Sequence, residues 1–235
     1  MKKRAFILAV LALLPAAAIA QQSADWTNRV TLPPIGGHVL GNPLAPTKLV
    51  EYVSYTCNHC ADFVAAASAP LKAGWVKGGK TSVEVRNAVR DRYDLTAAML
   101  ARCGGAARFY GNHEALFANQ TAWFPQIEAY EAAKDKAVTG ESNTDVMKDI
   151  GRKTGLYALM GKRGFTPAQL DGCITNPTAM KQVLAMTDDA WKGVKITGTP
   201  NFTLNGKLLA NTATWASLKT ALPAPSAAPL PGGAN

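Results

Sequence analysis

Between residues 47 and 90 the apolar positions of the chain change period twice. Leu49, Val50, Tyr52, Val53 and Tyr55 make a short β-rich run that stops at Thr56, the pattern of a buried strand ending at Cys57. From Asn58 to Val76 the spacing becomes helical, with Phe63, Ala66, Ala67, Leu71 and Trp75 on one face, and Pro70 is expected to bend that helix. Residues 82–89, Ser-Val-Glu-Val-Arg-Asn-Ala-Val, alternate and predict a second strand of the same sheet. Upstream, residues 21–46 are polar and turn-rich and close on Gly41-Asn42-Pro43-Leu44-Ala45-Pro46, which is punctuation rather than an element. His38 lies in this leader, and no functional role is expected of it.

The next hundred residues are helical by pattern: Leu95, Met99, Leu100 and Cys103, then Phe109, His113, Leu116 and Phe117, then Val146 and Ile150. Thr166-Pro167-Ala168-Gln169 is a capping box with Pro at the first helical position, opening a helix that carries Leu170 and Cys173. Asn176-Pro177 opens another, with Met180, Val183, Leu184 and Trp191 on one face. Phe202 and Leu204 then alternate, Asn205-Gly206 is a strong hairpin signal, and Leu208 resumes the strand before a last helix with Trp215 and Leu218. This order, strands, helices, hairpin, helix, predicts an α/β chain with a thioredoxin-like fold and an inserted all-helical domain. The expected boundaries are 1–20 for a signal peptide, 21–40 for an N-terminal leader, 41–90 with 192–222 for the thioredoxin-like domain, 91–191 for the helical insertion, and 223–235 for a Pro/Ala/Gly-rich disordered tail.

A composition of 48% hydrophobic, 17% charged and 8% aromatic residues excludes disordered and fibrous classes. Ala5 to Ala20 stands directly behind Lys2, Lys3 and Arg4 and ends in Ala18-Ile19-Ala20, the small-x-small pattern of signal peptidase. Too short for an anchor, it reads as a secretory signal cut after Ala20. The remaining 22 Lys and Arg against 16 Asp and Glu give a net charge of about +6. These cations are scattered rather than striped, so no nucleic-acid partner is expected. No Cys follows the cut, and a soluble periplasmic protein is the expected setting.

Export changes the meaning of the four cysteines, because thiols outside the reducing cytosol tend to pair. Cys57 and Cys60 form a C-x-x-C, while Cys103 and Cys173 stand 70 residues apart on apolar helical faces. The distant pair is either two buried thiols or a structural disulfide pinning the ends of the insertion, and the oxidising compartment favours the bond. The C-x-x-C is either a redox pair, an inert local disulfide, or with His59 a zinc half-site. Zinc lacks a matching second pair, so no metal is expected. No G-x-G-x-x-G or Walker pattern is present, and no cofactor is expected.

Taken together, Gly41 to Pro46, Glu51, Cys57-Asn58-His59-Cys60, Leu116-Phe117-Ala118-Asn119-Gln120 and Gly198-Thr199-Pro200 resemble the DsbA-like thiol:disulfide oxidoreductases, over about residues 41–221. The resemblance implies a dithiol oxidase that introduces disulfides into exported proteins, with reduced or misoxidised exported proteins as substrates and a quinone-linked membrane partner for regeneration. A monomer is expected. A reductase or isomerase of the same fold is the alternative, and a non-enzymatic metal or protein binder a more distant one.

Cys57 at a helix N-terminus would meet unpaired N–H groups and the positive end of the dipole, which places its pKa roughly between 3.5 and 7.5. Cys60, one turn in, would be the poorer thiolate, so Cys57 faces substrate and Cys60 resolves. His59 is expected to stabilise the Cys57 thiolate further, and Asn58, where the family more often has Pro, is a second redox-tuning position. Stabilising the reduced form by roughly 1.4 kcal/mol raises a two-electron potential by about 30 mV. Glu51, six residues before Cys57, is either an edge-strand acid in water or a buried carboxylate that takes the Cys60 proton. Thr199-Pro200 could simply open a strand. The resemblance implies instead a cis-proline loop that offers the Thr199 backbone to an extended substrate. His113 shares a face with Phe109 and Phe117 and reads as a core or groove histidine.

Overall fold

The computed structural model describes residues 24–133 and 142–225. The expected signal peptide, residues 1–20, lies outside the described residues, as do residues 226–235 of the expected tail. Among the described residues a single mixed sheet runs in the order β1-β2-β4-β3-β5-β6. Its strands are β1 Val30–Thr31, β2 His38–Leu40, β3 Thr47–Val53, β4 Thr81–Asn87, β5 Asn201–Leu204 and β6 Lys207–Leu208.

β3 lies inside the sheet, parallel to β4 with Leu49 opposite Val83 and antiparallel to β5 with Glu51 opposite Phe202. Parallel neighbours need a crossover, and helix α1, Asn58–Leu71, supplies it. With partners on both sides and helices above and below, β3 buries Leu49, Tyr52, Val53 and the acid Glu51 alike. The reading of Glu51 as an edge-strand acid is therefore excluded by topology. Pro70 sits inside α1, and the ladder then widens into a π-helical turn over Lys72–Val76. A proline lacks the N–H that would continue the ordinary spacing.

Residues 21–40, expected to be a leader without elements, contribute β1 and β2. β2 pairs antiparallel with β4, His38 opposite Val85 and Leu40 opposite Val83. Three residues between Gly37 and Gly41 are too few to show a period, so the strand exists because β4 offers it an edge. His38 is likewise no loop residue: it is 2% exposed and stacks on Phe109 with ring centroids 3.5 Å apart.

The helical block comprises α2 Arg92–Ala101, α3 Ala106–Ala118, α4 Gln120–Trp123, α5 Gln126–Ala133, α6 Asn143–Lys153, α7 Leu156–Lys162, α8 Pro167–Ile174 and α9 Pro177–Asp188, followed by a π turn over Asp189–Val194. The Thr166/Gln169 capping box opens α8, and a second box, Thr214/Ser217, opens the last helix α10, Trp215–Ala221. Cys103 and Cys173 are bonded, their Cα atoms 5.6 Å apart, tying the end of α2 to α8. α3 packs with α1 on one face of the sheet, Phe109, Leu116 and Phe117 joining Phe63, Val64 and Leu71 in the main core. On the other face Ala190 and Ile196 cover Tyr52. The β5–β6 turn has both central residues at positive φ, Asn205 at 50° and Gly206 at 83°, the backbone that Asn-Gly favours in a two-residue hairpin. Among the described residues no helix is long and apolar enough to cross a membrane.

Candidate active site

β3 ends at Val53, and a turn closed by Cys57 N donating to Ser54 O at 3.1 Å delivers Cys57 as the N-cap of α1. Its extended backbone, φ −100° and ψ 118°, points the side chain across to the loop before β5. There the Thr199–Pro200 peptide is cis, and Cys57 Sγ donates to Thr199 O at 3.1 Å. Cys57 and Cys60 are both free thiols, 4% and 0% exposed, while Asn58 and His59 between them face solvent.

The two thiols are driven apart chemically. A hydrogen bond from the Cys60 side chain is the main force holding the Cys57 thiol down to about 5, against the opposing effect of burial. The Thr199 side chain, the Cys60 backbone N–H and the charge of Arg90 lower it further. Burial pushes Cys60 well above the ordinary thiol range, and the hydrogen bond to Cys57 and the negative charge there add to it.

Arg90 was not legible as a site residue in the sequence. Its Nε donates to Ser54 Oγ at 2.9 Å and its Nη2 to Thr56 Oγ1 at 3.2 Å, fixing the guanidinium along the loop that leads into Cys57. The same loop is held by Asp94, whose carboxylate accepts from Tyr55 N at 2.7 Å and Arg90 N at 3.1 Å, and by Asp91, which accepts from Thr56 Oγ1 at 2.8 Å. From the helical block Gln120 Nε2 donates to Tyr55 O at 2.8 Å and Cys57 O at 3.0 Å. His59, expected to act on the Cys57 sulfur, makes no hydrogen bond to it among the described residues. The cation acting there is Arg90. The available signal was the polar pair Ser54 and Thr56 at the strand end, residues that need partners once buried.

Glu51 is 4% exposed with Oε1 unpartnered among the described residues, and burial pushes its carboxyl up to about 8. It lines a cavity of about 30 Å³, room for roughly one water. The Lys72–Glu114 ion pair and His113 lie on the same cavity wall. His113 Nδ1 is hydrogen-bonded to the Tyr55 hydroxyl at 3.0 Å, and burial holds its ring down to about 3, so it is neutral. Among the described residues no group of three or more His, Cys, Asp or Glu is arranged to hold a metal ion.

A thioredoxin-like α/β fold with a helical insertion thus presents a C-x-x-C that opens the helix after β3, opposite a cis-proline. The chain belongs to the thioredoxin family, whose model matches residues 34–224. A crystal structure of a protein-disulfide isomerase from Novosphingobium aromaticivorans is 35% identical, with a TM-score of 0.71 over 84% of this chain and 96% of that one. Wolbachia pipientis alpha-DsbA1, 24% identical with a TM-score of 0.57 over 75% of this chain and 77% of that one, shares the fold. A Rickettsia typhi protein provisionally named a protein-disulfide oxidoreductase is 29% identical over 169 residues, 72% of this chain and 54% of its own length. The chain thus spans about half the length of the curated relatives it matches.

Proposed function

We propose that the protein is a periplasmic thiol:disulfide oxidoreductase that works in the oxidising direction, passing the Cys57–Cys60 disulfide to exported proteins. The observation that carries this reading is the opposed setting of the two sulfurs, one held as thiolate at about 5 and the other as thiol. A substrate thiolate attacks Cys57 Sγ, a substrate–Cys57 disulfide forms, and Cys60 leaves and takes a proton, for which the Glu51 carboxyl is the proposed donor. A second substrate thiolate then attacks the substrate sulfur of the mixed disulfide and expels Cys57 as a stabilised thiolate. The substrate loses two electrons and the Cys57/Cys60 pair gains them. A membrane redox partner would remove them again.

Because the surroundings stabilise the Cys57 thiolate, they stabilise the reduced protein and make its disulfide a better oxidant. The Thr199–Pro200 loop supplies backbone against which an extended substrate lies, and the Cys103–Cys173 bond fixes the helical domain that shoulders the site. The residue ranges 41–90 with 192–222 and 91–191 serve as the working division between redox and helical parts, with β1 and β2 joined to the former.

Equilibration with glutathione tests the direction. An oxidase requires a potential nearer the roughly −120 mV of strong oxidants than the roughly −270 mV of thioredoxin. Isomerase activity, the activity named for the Novosphingobium neighbour, is the second reading. Repair of scrambled disulfides by the monomer without added oxidant would establish it in place of the oxidase.

A further inference from the structure

Beside the cis-proline loop a cleft of about 240 Å³ opens between residues 197–201 and the segment 209–213 that leads from β6 to α10. Thr199 and Pro200 form part of its wall, so it adjoins the carbonyl to which Cys57 Sγ donates. Besides Thr199, four of its side chains, Thr197, Asn201, Asn211 and Thr212, are polar and uncharged, and no charged residue lines it. Their hydrogen-bonding capacity is almost unused. Asn201 Oδ1 accepts from Phe202 N at 2.9 Å, which leaves its Nδ2 open. Among the described residues the side chains of Thr197, Asn211 and Thr212 have no hydrogen-bond partner. Thr212 is only 8% exposed and is one of the residues that line the cleft.

We infer that this cleft is a specificity subsite that takes an uncharged hydrogen-bonding side chain, an amide or a hydroxyl, close to the reacting cysteine of the substrate. The inference rests on the exchange reading above, in which the substrate segment lies along Thr199. An apolar side chain placed here would strip water from four polar groups and return no hydrogen bonds, which sites of this kind reject. A carboxylate or ammonium would lose hydration and find no opposite charge. Ser, Thr, Asn or Gln can exchange hydrogen bonds with water for hydrogen bonds with Asn201 Nδ2, the Asn211 amide and the Thr212 hydroxyl.

The test uses the oxidised protein and reduced two-cysteine peptides that differ only at the positions flanking the first cysteine, which carry Asn, Thr, Leu, Glu or Lys. Dithiothreitol is the small-thiol reference. Asn and Thr peptides are expected to be oxidised roughly fivefold faster than the Leu peptide, the effect of about one neutral hydrogen bond. In Asn211→Ala/Thr212→Val the ratio of Asn-peptide to Leu-peptide rates falls to about one. In Asn211→Asp the Lys peptide gains on the others, a change that a poorly folded variant cannot produce. Equal rates for all five peptides, or a preference that both variants leave intact, overturn the subsite while the dithiothreitol reaction still supports exchange. Failure of dithiothreitol to reduce the protein overturns the exchange reading as well.

Discussion

Cys57 and Cys60 stand one helical turn apart, yet the two ends of that turn are different solvents. Around Cys57 the loop Ser54–Thr56 is polar and tied to Arg90, Asp91 and Asp94, and the sulfur meets hydrogen-bond donors and a cation. Around Cys60 burial is complete, and the nearby ionisable group, Glu51, is itself pushed toward its neutral form. A charge is stabilised at one sulfur and refused at the other. The charge at Cys57 is held mainly from within the helix start, by the Cys60 side chain, whereas at Cys60 it is refused by the burial that the rest of the fold imposes.

The largest expected effects come from substituting the two sulfurs themselves. Cys57→Ser should reduce disulfide transfer to the uncatalysed background, whereas Cys60→Ser should accumulate substrate–Cys57 mixed disulfides, visible on non-reducing gels. The reverse pattern would assign the attacking role to Cys60. Next in size, Glu51→Gln should slow the step that needs a proton at Cys60 by about 100-fold, the lower range for general acid–base catalysis, in single-turnover measurements. It should also change stability with a definite sign. The Glu51 carboxyl is raised from 4.5 to about 8, so its contribution is full below about 4.5 and is lost as the pH rises through about 8. Glu51→Gln should therefore leave the free energy of unfolding read from urea titrations unchanged near pH 4 and raise it by a few kcal/mol near pH 9. His113 has the opposite slope: its ring is lowered from 6.5 to about 3, so its contribution is present above 6.5 and is lost on acidification.

Smaller effects sharpen the Cys57 side. Gln120→Ala removes the donor to Tyr55 O and Cys57 O and should cost about 1–3 kcal/mol in denaturant unfolding. Arg90→Ala should raise the Cys57 pKa by up to about one unit and lower the potential by at most about 30 mV, with Arg90→Lys recovering part of both. Thiolate absorbance titrated from pH 3 to 9 reads the first, and glutathione equilibration the second. If His59→Ala moved the titration more than Arg90→Ala, the solvent-facing imidazole would be the stronger influence after all.

Much of this arrangement was visible in residue order. The β-rich run 49–55, the change of period at Asn58, the capping box at Thr166 and Asn205-Gly206 are local signals, and the structure forms an element or a turn at each. β2 was not visible, because a strand of three residues has no period and depends on the edge of β4. Arg90 was not visible either. It follows the second strand by three residues and reaches Ser54 and Thr56 only because β3 and β4 lie side by side in parallel register.

By itself the sequence determined which groups could do chemistry: two cysteines at the spacing of one helical turn, an acid in an apolar run, a Thr-Pro before a strand. Propensity, period and turn chemistry act over a few residues, so these could be read without a fold. Only the tertiary structure decided the electrostatics, because burial and charge act through space. It placed Glu51 in the middle of the sheet, turned His59 to water, and set Arg90 and Thr199, 33 and 142 residues beyond Cys57 in the chain, beside the same sulfur.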